Sequence, residues 1–409
     1  MTEEREVVVT GIGAVTPFGV GVDALWDALI SGRSAIKPIS SFDAAPYPCR
    51  IAGEIADYEP TLPAQEAARL DRGALFAIDA ARQALADAGL PITPENAIQV
   101  GLAAGCARPG ETTVWEGQQA FHEQGSDSMR AGYIARTLPN APAAQTARAL
   151  GVRGPTLAVA AGGASGNVAI DAASSMIRSG EVQVAFAVGV DAPITPPALA
   201  AFCAMGVLTT RNDDPAAACR PFDADADGFA LSEGAAALLL EDEALARDRG
   251  ARIYARLSGS ANVTEPAAQP LSPREAGRAM QASLRRPGLL QQEIDYFCAY
   301  APGTPELDRM ETDAIKRIFG ELTASKLTIS APKSMLGHSL GASGVIDAII
   351  CLKAIETGVI PPTINLEKPA DGCDLDYTPG RAVTQPVQHA MSYAYGFGGH
   401  HVALCFSAP

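Results

Sequence analysis

The sequence predicts a layered α/β protein assembled from two related halves, and three observations carry that expectation. Apolar strand-like runs alternate with helical segments along the 409 residues, the pattern of sheets covered by helices. No linker or low-complexity stretch interrupts them. An internal echo sets Gly163-Ala164-Ser165-Gly166 ahead of a helix that stops at Gly180, and Gly341-Ala342-Ser343-Gly344 ahead of another that stops at Gly358, at the same interval. Halves 1–250 and 251–409 would bring their equivalent turns around one shared site.

Taken in order, a strand is expected at Val7 to Thr10, a helix around Leu75 to Ala88 and a strand at Val100 to Ala104. Next come a buried apolar strand at Leu157 to Ala160, a small-residue turn at Ala161-Gly162-Gly163, a helix, the Gly180 stop and a second buried strand, Val182 to Val188. Further strands are expected at Ala235 to Leu240, Tyr254 to Ser260, Leu327 to Ser330 and Val402 to Phe406. The layout at Gly163 suits a nucleophile at a helix N-terminus, where unpaired N–H groups and the dipole stabilise a thiolate or oxyanion. Glycine has no side chain to attack with, so no covalent intermediate is expected there. Ser165 is the other candidate nucleophile, but its counterpart Ser343 recurs, and a serine near a helix start ordinarily caps.

With 47% hydrophobic residues the chain can bury a large core. Its apolar runs are strand-length and broken by Gly, Pro or Asp, so none spans a membrane. The acidic start, MTEEREVVVTG, is unlike a signal peptide and suggests a cytoplasmic protein. The scattered cysteines, without a C-x-x-C pair, read as reduced core residues. A net charge of −15 excludes nucleic acid as a partner and disfavours docking an acidic carrier protein. No metal or cofactor is expected. Asp223, Asp225 and Asp227 begin like a calcium loop, but Gly234 stands where the bidentate acid belongs. Gly11-Ile12-Gly13 lacks the third glycine of a dinucleotide loop, and the adjacent His400 and His401 are too few to chelate a metal.

Five blocks are more specific: Val7 to Gly19 (VVVTGIGAVTPFG), Arg220 to Glu241, Ala331 to Gly344 (APKSMLGHSLGASG), Pro361 to Pro369 (PPTINLEKP) and Tyr395 to Gly399 (YGFGG). On these blocks the sequence resembles the β-ketoacyl-ACP synthases, the condensing enzymes of fatty-acid and polyketide assembly, over almost its whole length. The resemblance implies a duplicated thiolase fold, layered αβαβα, and a dimer.

In that family the first turn carries a cysteine, and Gly163 falls on it. Tyr300-Ala301-Pro302-Gly303-Thr304 matches a segment whose histidine helps decarboxylate malonyl-ACP; Pro302 takes its place, and proline has no proton to give. Lys333 and His338 match the family's lysine and second histidine, which without partners are left a structural role. Phe397 falls on the gating aromatic of the glycine-rich loop. The divergent stretch from Cys106 to Tyr133 matches the dimer interface that caps the acyl tunnel, with Arg108, Thr112, Trp115, Glu116 and Tyr133 as tunnel candidates. The helix expected over Gln65 to Asp71 overlaps a segment that is basic in carrier-docking synthases and nearly neutral here.

Among close relatives, the members without this cysteine are the chain-length factors; decarboxylating cousins carry glutamine there but keep both histidines, so Gly163 with Pro302 departs from them. The resemblance therefore implies a non-catalytic subunit that pairs with a cysteine-bearing ketosynthase and meets the acyl carrier protein mainly through that partner. Its close fit to fatty-acid-type synthases hints at a reduced or polyene product. A malonyl-ACP decarboxylase using His338, and a stand-alone acyl-binding protein, are the alternatives.

Overall fold

A computed structural model describes residues 5–268 and 270–409. In the first half β1 (Val7–Thr16), β2 (Val100–Gly105), β3 (Thr156–Val159), β4 (Val184–Asp191) and β5 (Gly234–Asp242) lie side by side in the order β3-β2-β4-β5-β1. In the second, β6 (Ala255–Thr264), β7 (Tyr296–Cys298), β8 (Thr328–Ser330), β9 (His389–Gly396) and β10 (His400–Ser407) lie in the order β8-β7-β9-β10-β6. The plans are identical. In each, the outer three strands are parallel and the two inner pairings antiparallel. The sheets are hydrogen-bonded to each other at one edge, where Val8 and Val9 meet Arg256 and Ala255.

The helices used below are α1 (Arg72–Ala88), α2 (Glu111–Gln124), α3 (Tyr133–Thr137), α4 (Ala141–Leu150), α5 (Ser165–Arg178), α6 (Pro196–Ala204), α7 (Pro273–Arg285), α8 (Pro305–Phe319), α9 (Lys333–Leu336) and α10 (Ser343–Thr357). Helices α1 and α4 cover the outer face of the first sheet, α7 packs on the second with α8 beside it, and α5 and α10 lie between the sheets and touch both. This is the αβαβα layering of a duplicated thiolase fold. Gly11 and Gly13, the weak dinucleotide signal, serve packing: an added Cβ would lie 2.1 Å from the backbone oxygens of Ala84 and Ala80, so glycine lets α1 rest on β1. Asp71 caps that helix by accepting from Gly73 N at 3.0 Å. The helix expected over Gln65 to Asp71 is therefore two features, a short turn at Ala64–Ala67 and this cap.

One strand differs from expectation. The run at 156–159 is not buried: β3 is the outermost strand of its sheet, paired only with β2, and Leu157 is 45% exposed. Its apolar composition led to the opposite expectation because a buried strand and an unpartnered edge strand read alike. Strands β7 and β9 were not anticipated. All eight cysteines are free thiols, all buried except the half-buried Cys203. No described helix is long and apolar enough to cross a membrane.

The two middle helices cross at their N-termini. An added Cβ at Gly344 would lie 1.9 Å from Asn167 Oδ1 and 2.7 Å from Asn167 N, and one at Gly166 would lie 2.7 Å from Gly341 O. Overpacking of this kind costs about 1–3 kcal/mol. Gly344→Ala is expected to lower stability by at least that much in chemical unfolding. Gly132→Ala, whose added carbon meets only the tip of Arg136 at 3.9 Å, should stay within about 0.5 kcal/mol of the parent.

Candidate functional site

The turn between β3 and α5 is braced from within. Ser165 Oγ accepts from Ala161 N at 2.9 Å and donates to Gly162 O at 2.7 Å. Ser165 is the first helical residue rather than the cap, and both its hydrogen bonds are spent on the turn. Neither capping nor attack describes it. Gly162 adopts φ +55, with Phe397 N only 2.9 Å from where a Cβ would stand, so the glycine-rich loop rests on this turn while the Phe397 side chain remains exposed. At Gly163 an added Cβ would lie 2.8 Å from Tyr395 O and 3.0 Å from His338 Nε2. Position 163 thus faces His338.

His338 comes from the other half, just after α9. It is buried, with Nδ1 3.0 Å from Ser343 Oγ and Nε2 3.2 Å from Tyr300 Oη. Burial, helped by the nearby Lys333 charge, holds its pKa well below the ordinary imidazole value, so the ring is neutral. Lys333 is itself buried and paired with Asp347 at 2.7 Å, and its Nζ lies 5.2 Å from the centre of the Tyr300 ring. Ser343, like Ser165, bonds inward instead of capping: its hydroxyl joins His338 to Ser339, 3.1 Å away.

Pro302 sits buried in the loop between β7 and α8, with no polar hydrogen to offer. Two carboxylates fix that loop. Glu311 accepts from Tyr300 N at 2.9 Å and Ala301 N at 2.8 Å; Asp308 accepts from Phe222 N at 2.9 Å and Gly303 N at 3.2 Å. Burial pushes the Glu311 carboxyl up to about 8 and that of Asp308 up to about 7, against the pull of those N–H donors. A third buried carboxylate, Asp191, accepts from Ala107 N, Arg108 N and Gly341 N at 2.9, 2.8 and 2.6 Å, and burial raises it to about 6. It ties the start of the divergent segment to the N-terminus of α10.

That segment divides. Thr112, Trp115 and Glu116 on α2 line a cavity of about 390 Å³ together with Phe42, Ile194 and Pro196. Tyr133 instead lies over Gly117 and lines a neighbouring cavity of about 110 Å³ that Glu116 also borders. Arg108 lines neither: its guanidinium is turned back onto Glu111 at 2.8 Å. Arginine beside an acid three residues on in a helix start makes such a pair.

The motifs set aside have structural partners. Asp223 accepts from Arg220 Nε and from the backbones of Asp225, Glu367 and Lys368, clasping two loops. His401 is buried between Tyr393 Oη at 2.6 Å and Glu265 at 3.0 Å; its neighbour His400, the next residue of β10, points to the other face. The residues that sequence reading passed over are Tyr300, Glu311 and Asp347. Lone carboxylates inside the apolar faces of α8 and α10 (Met310-Glu311-Thr312, Ile346-Asp347-Ala348) were the available signal.

The N-terminal domain model of the β-ketoacyl synthases matches residues 4–246 and their C-terminal domain model residues 254–367. The chain belongs to the β-ketoacyl synthase family. It is 39% identical over 99% of its length to 3-oxoacyl-[acyl-carrier-protein] synthase 2 of Synechocystis, covering 98% of that protein. Identity is also 39% to the tetracenomycin polyketide synthase ketoacyl synthase alpha subunit of Streptomyces glaucescens, with 99% and 98% of the two chains covered. Among solved structures, the ishigamide ketosynthase/chain length factor superposes with a TM-score of 0.91 at 32% identity, covering 99% of this chain and 100% of that one.

The buried carboxyls set the pH dependence. Groups whose pKa is raised in the fold bind more protons folded than unfolded, so stability rises as pH falls through about 8 and 7. The depressed His338 and His401 bind fewer, so stability is lost again below their ordinary value of 6.5. A maximum on the acid side of neutrality is expected, and Glu311→Gln should flatten the rise between about pH 8 and 6 in urea unfolding at stepped pH.

Proposed function

We propose that this chain is a non-catalytic chain-length factor that pairs with a cysteine-bearing ketosynthase and shapes the acyl tunnel in which a polyketide grows from malonyl-ACP. The observation that carries this reading is the residue facing His338, which is Gly163. An acyl group cannot be held on a side chain that is absent, and Pro302 supplies no proton for decarboxylation. The family's chemistry therefore needs a partner.

The surface supports pairing. Strand β3 leaves one edge unpaired, and Phe121, Met129, Ile134, Leu138 and Leu157, all between α2 and β3, are exposed. A bare apolar sheet edge is ordinarily covered in a native assembly. This speaks against the stand-alone acyl-binding protein. The partner would also receive the acyl carrier protein, in keeping with the charge of −15 on this chain.

Co-purification with the cognate ketosynthase tests the reading, and Leu157→Glu is expected to abolish the complex. Intact mass after incubation of this chain with acyl-ACP should be unchanged; a stoichiometric adduct on Ser165 or on any cysteine would remove the non-catalytic assignment.

Cutting Trp115 or Tyr133 to alanine should lengthen the product of the heterodimer, and Thr112→Phe should shorten it. Each added methylene buries about 0.8 kcal/mol, so two carbons shift the choice between extension and release by roughly tenfold. Product masses that stay the same with the heterodimer intact would show that the segment is ordinary interface.

A further inference from the structure

Tyr300 has no part in the reading above, yet it contacts His338, Lys333 and Tyr395 around the degenerate site. It is 3% exposed, its ring lies under Lys333 Nζ and 6.1 Å from the ring of Tyr395, and its backbone N–H is held by Glu311. Its hydroxyl has a single polar partner among the described residues, His338 Nε2 at 3.2 Å. A buried phenol hydrogen needs an acceptor, and a neutral imidazole offers one. Tyr300 therefore donates and Nε2 accepts. The ring proton then sits on Nδ1 and is given to Ser343 Oγ at 3.0 Å, whose own hydrogen is left for Ser339.

This tautomer matters because Nε2 is the nitrogen that faces position 163, 3.0 Å from where a Cβ would be. With its lone pair taken by the phenol, it has no N–H to turn toward a carbonyl or enolate oxygen. The same phenol stands at the imidazole edge that a reacting thioester would have to approach. Tyr395 closes the other side with its carbonyl, 2.8 Å from the same added carbon.

We propose that Tyr300 is a stopper: it fills the approach to the former nucleophile turn and locks His338 in the Nδ1–H form, so that the site is sealed and disarmed rather than merely short of a cysteine. The inference rests on the degenerate site and is independent of any chain-length role. It also removes the decarboxylase alternative, since the one retained histidine presents no donor to substrate.

The test uses a cysteine as probe in the full-length protein. Gly163→Cys should be alkylated by iodoacetamide no faster than the native buried thiols, whereas Gly163→Cys/Tyr300→Ala should be alkylated at least ~tenfold faster at that peptide, because thiol reactivity follows access. Equal rates would overturn the stopper. If Tyr395 O prevents the cysteine variant from folding, histidine ¹⁵N shifts decide on the parent and on Tyr300→Phe. The parent should show His338 protonated at Nδ1 with Nε2 shifted by its hydrogen bond, and the phenylalanine variant should lose that Nε2 shift. A parent spectrum with the proton on Nε2 would overturn it equally, and chain-length control by the heterodimer would stand untouched by either result.

Discussion

The fold depends on two helix N-termini approaching backbone to backbone. Gly166 on α5 and Gly344 on α10 leave no room for even one carbon, and that closeness brings the β3–α5 turn of one half within reach of His338 from the other. Neither half has a site alone. The flanking sheets, with the same strand order and the same directions, hold the crossing from both sides. The mutual hydrogen bond of the sheets at β1 and β6 closes the assembly at one edge only. At the crossing itself the contact is backbone to backbone.

Around the crossing the interior holds several buried ionisable groups. Lys333 is fully paired with Asp347, while Glu311, Asp308 and Asp191 each spend their oxygens on backbone N–H groups at loop bends. A buried carboxylate is expensive unless its lone pairs are satisfied. Here they fix loops whose direction no hydrophobic contact could specify. With glycine at position 163 these carboxylates still fix the loops around His338, so the scaffold does not depend on a side chain there.

Much of this was legible in the sequence, for identifiable reasons. The repeated Gly-Ala-Ser-Gly announced the duplication because both copies meet the same steric demand, and the glycine at 163 and proline at 302 were visible because side chains are what sequence records. The exposed strand at 156–159 was misread because its apolar run, Leu157 to Val159, looks the same inside a core and along an uncovered edge. Strand β7 was too short to show a period, and β9 carries tyrosines whose polar partners, such as Glu265 for Tyr395, can lie far away in sequence. Arg108 was placed in the tunnel from its position, but a nearby acid captures it. Tyr300 escaped notice because its role lies in a contact with His338, 38 positions away.

The two turns can also be compared as twins. Gly163 and Gly341 occupy equivalent places in the halves, and each is now shaped by an oxygen pressing on it: Tyr395 O would lie 2.8 Å from an added carbon at the first, Asp191 Oδ2 2.7 Å at the second. With glycine in both, neither turn presents a side chain, and the two places differ in whether a backbone carbonyl or a carboxylate oxygen stands over them.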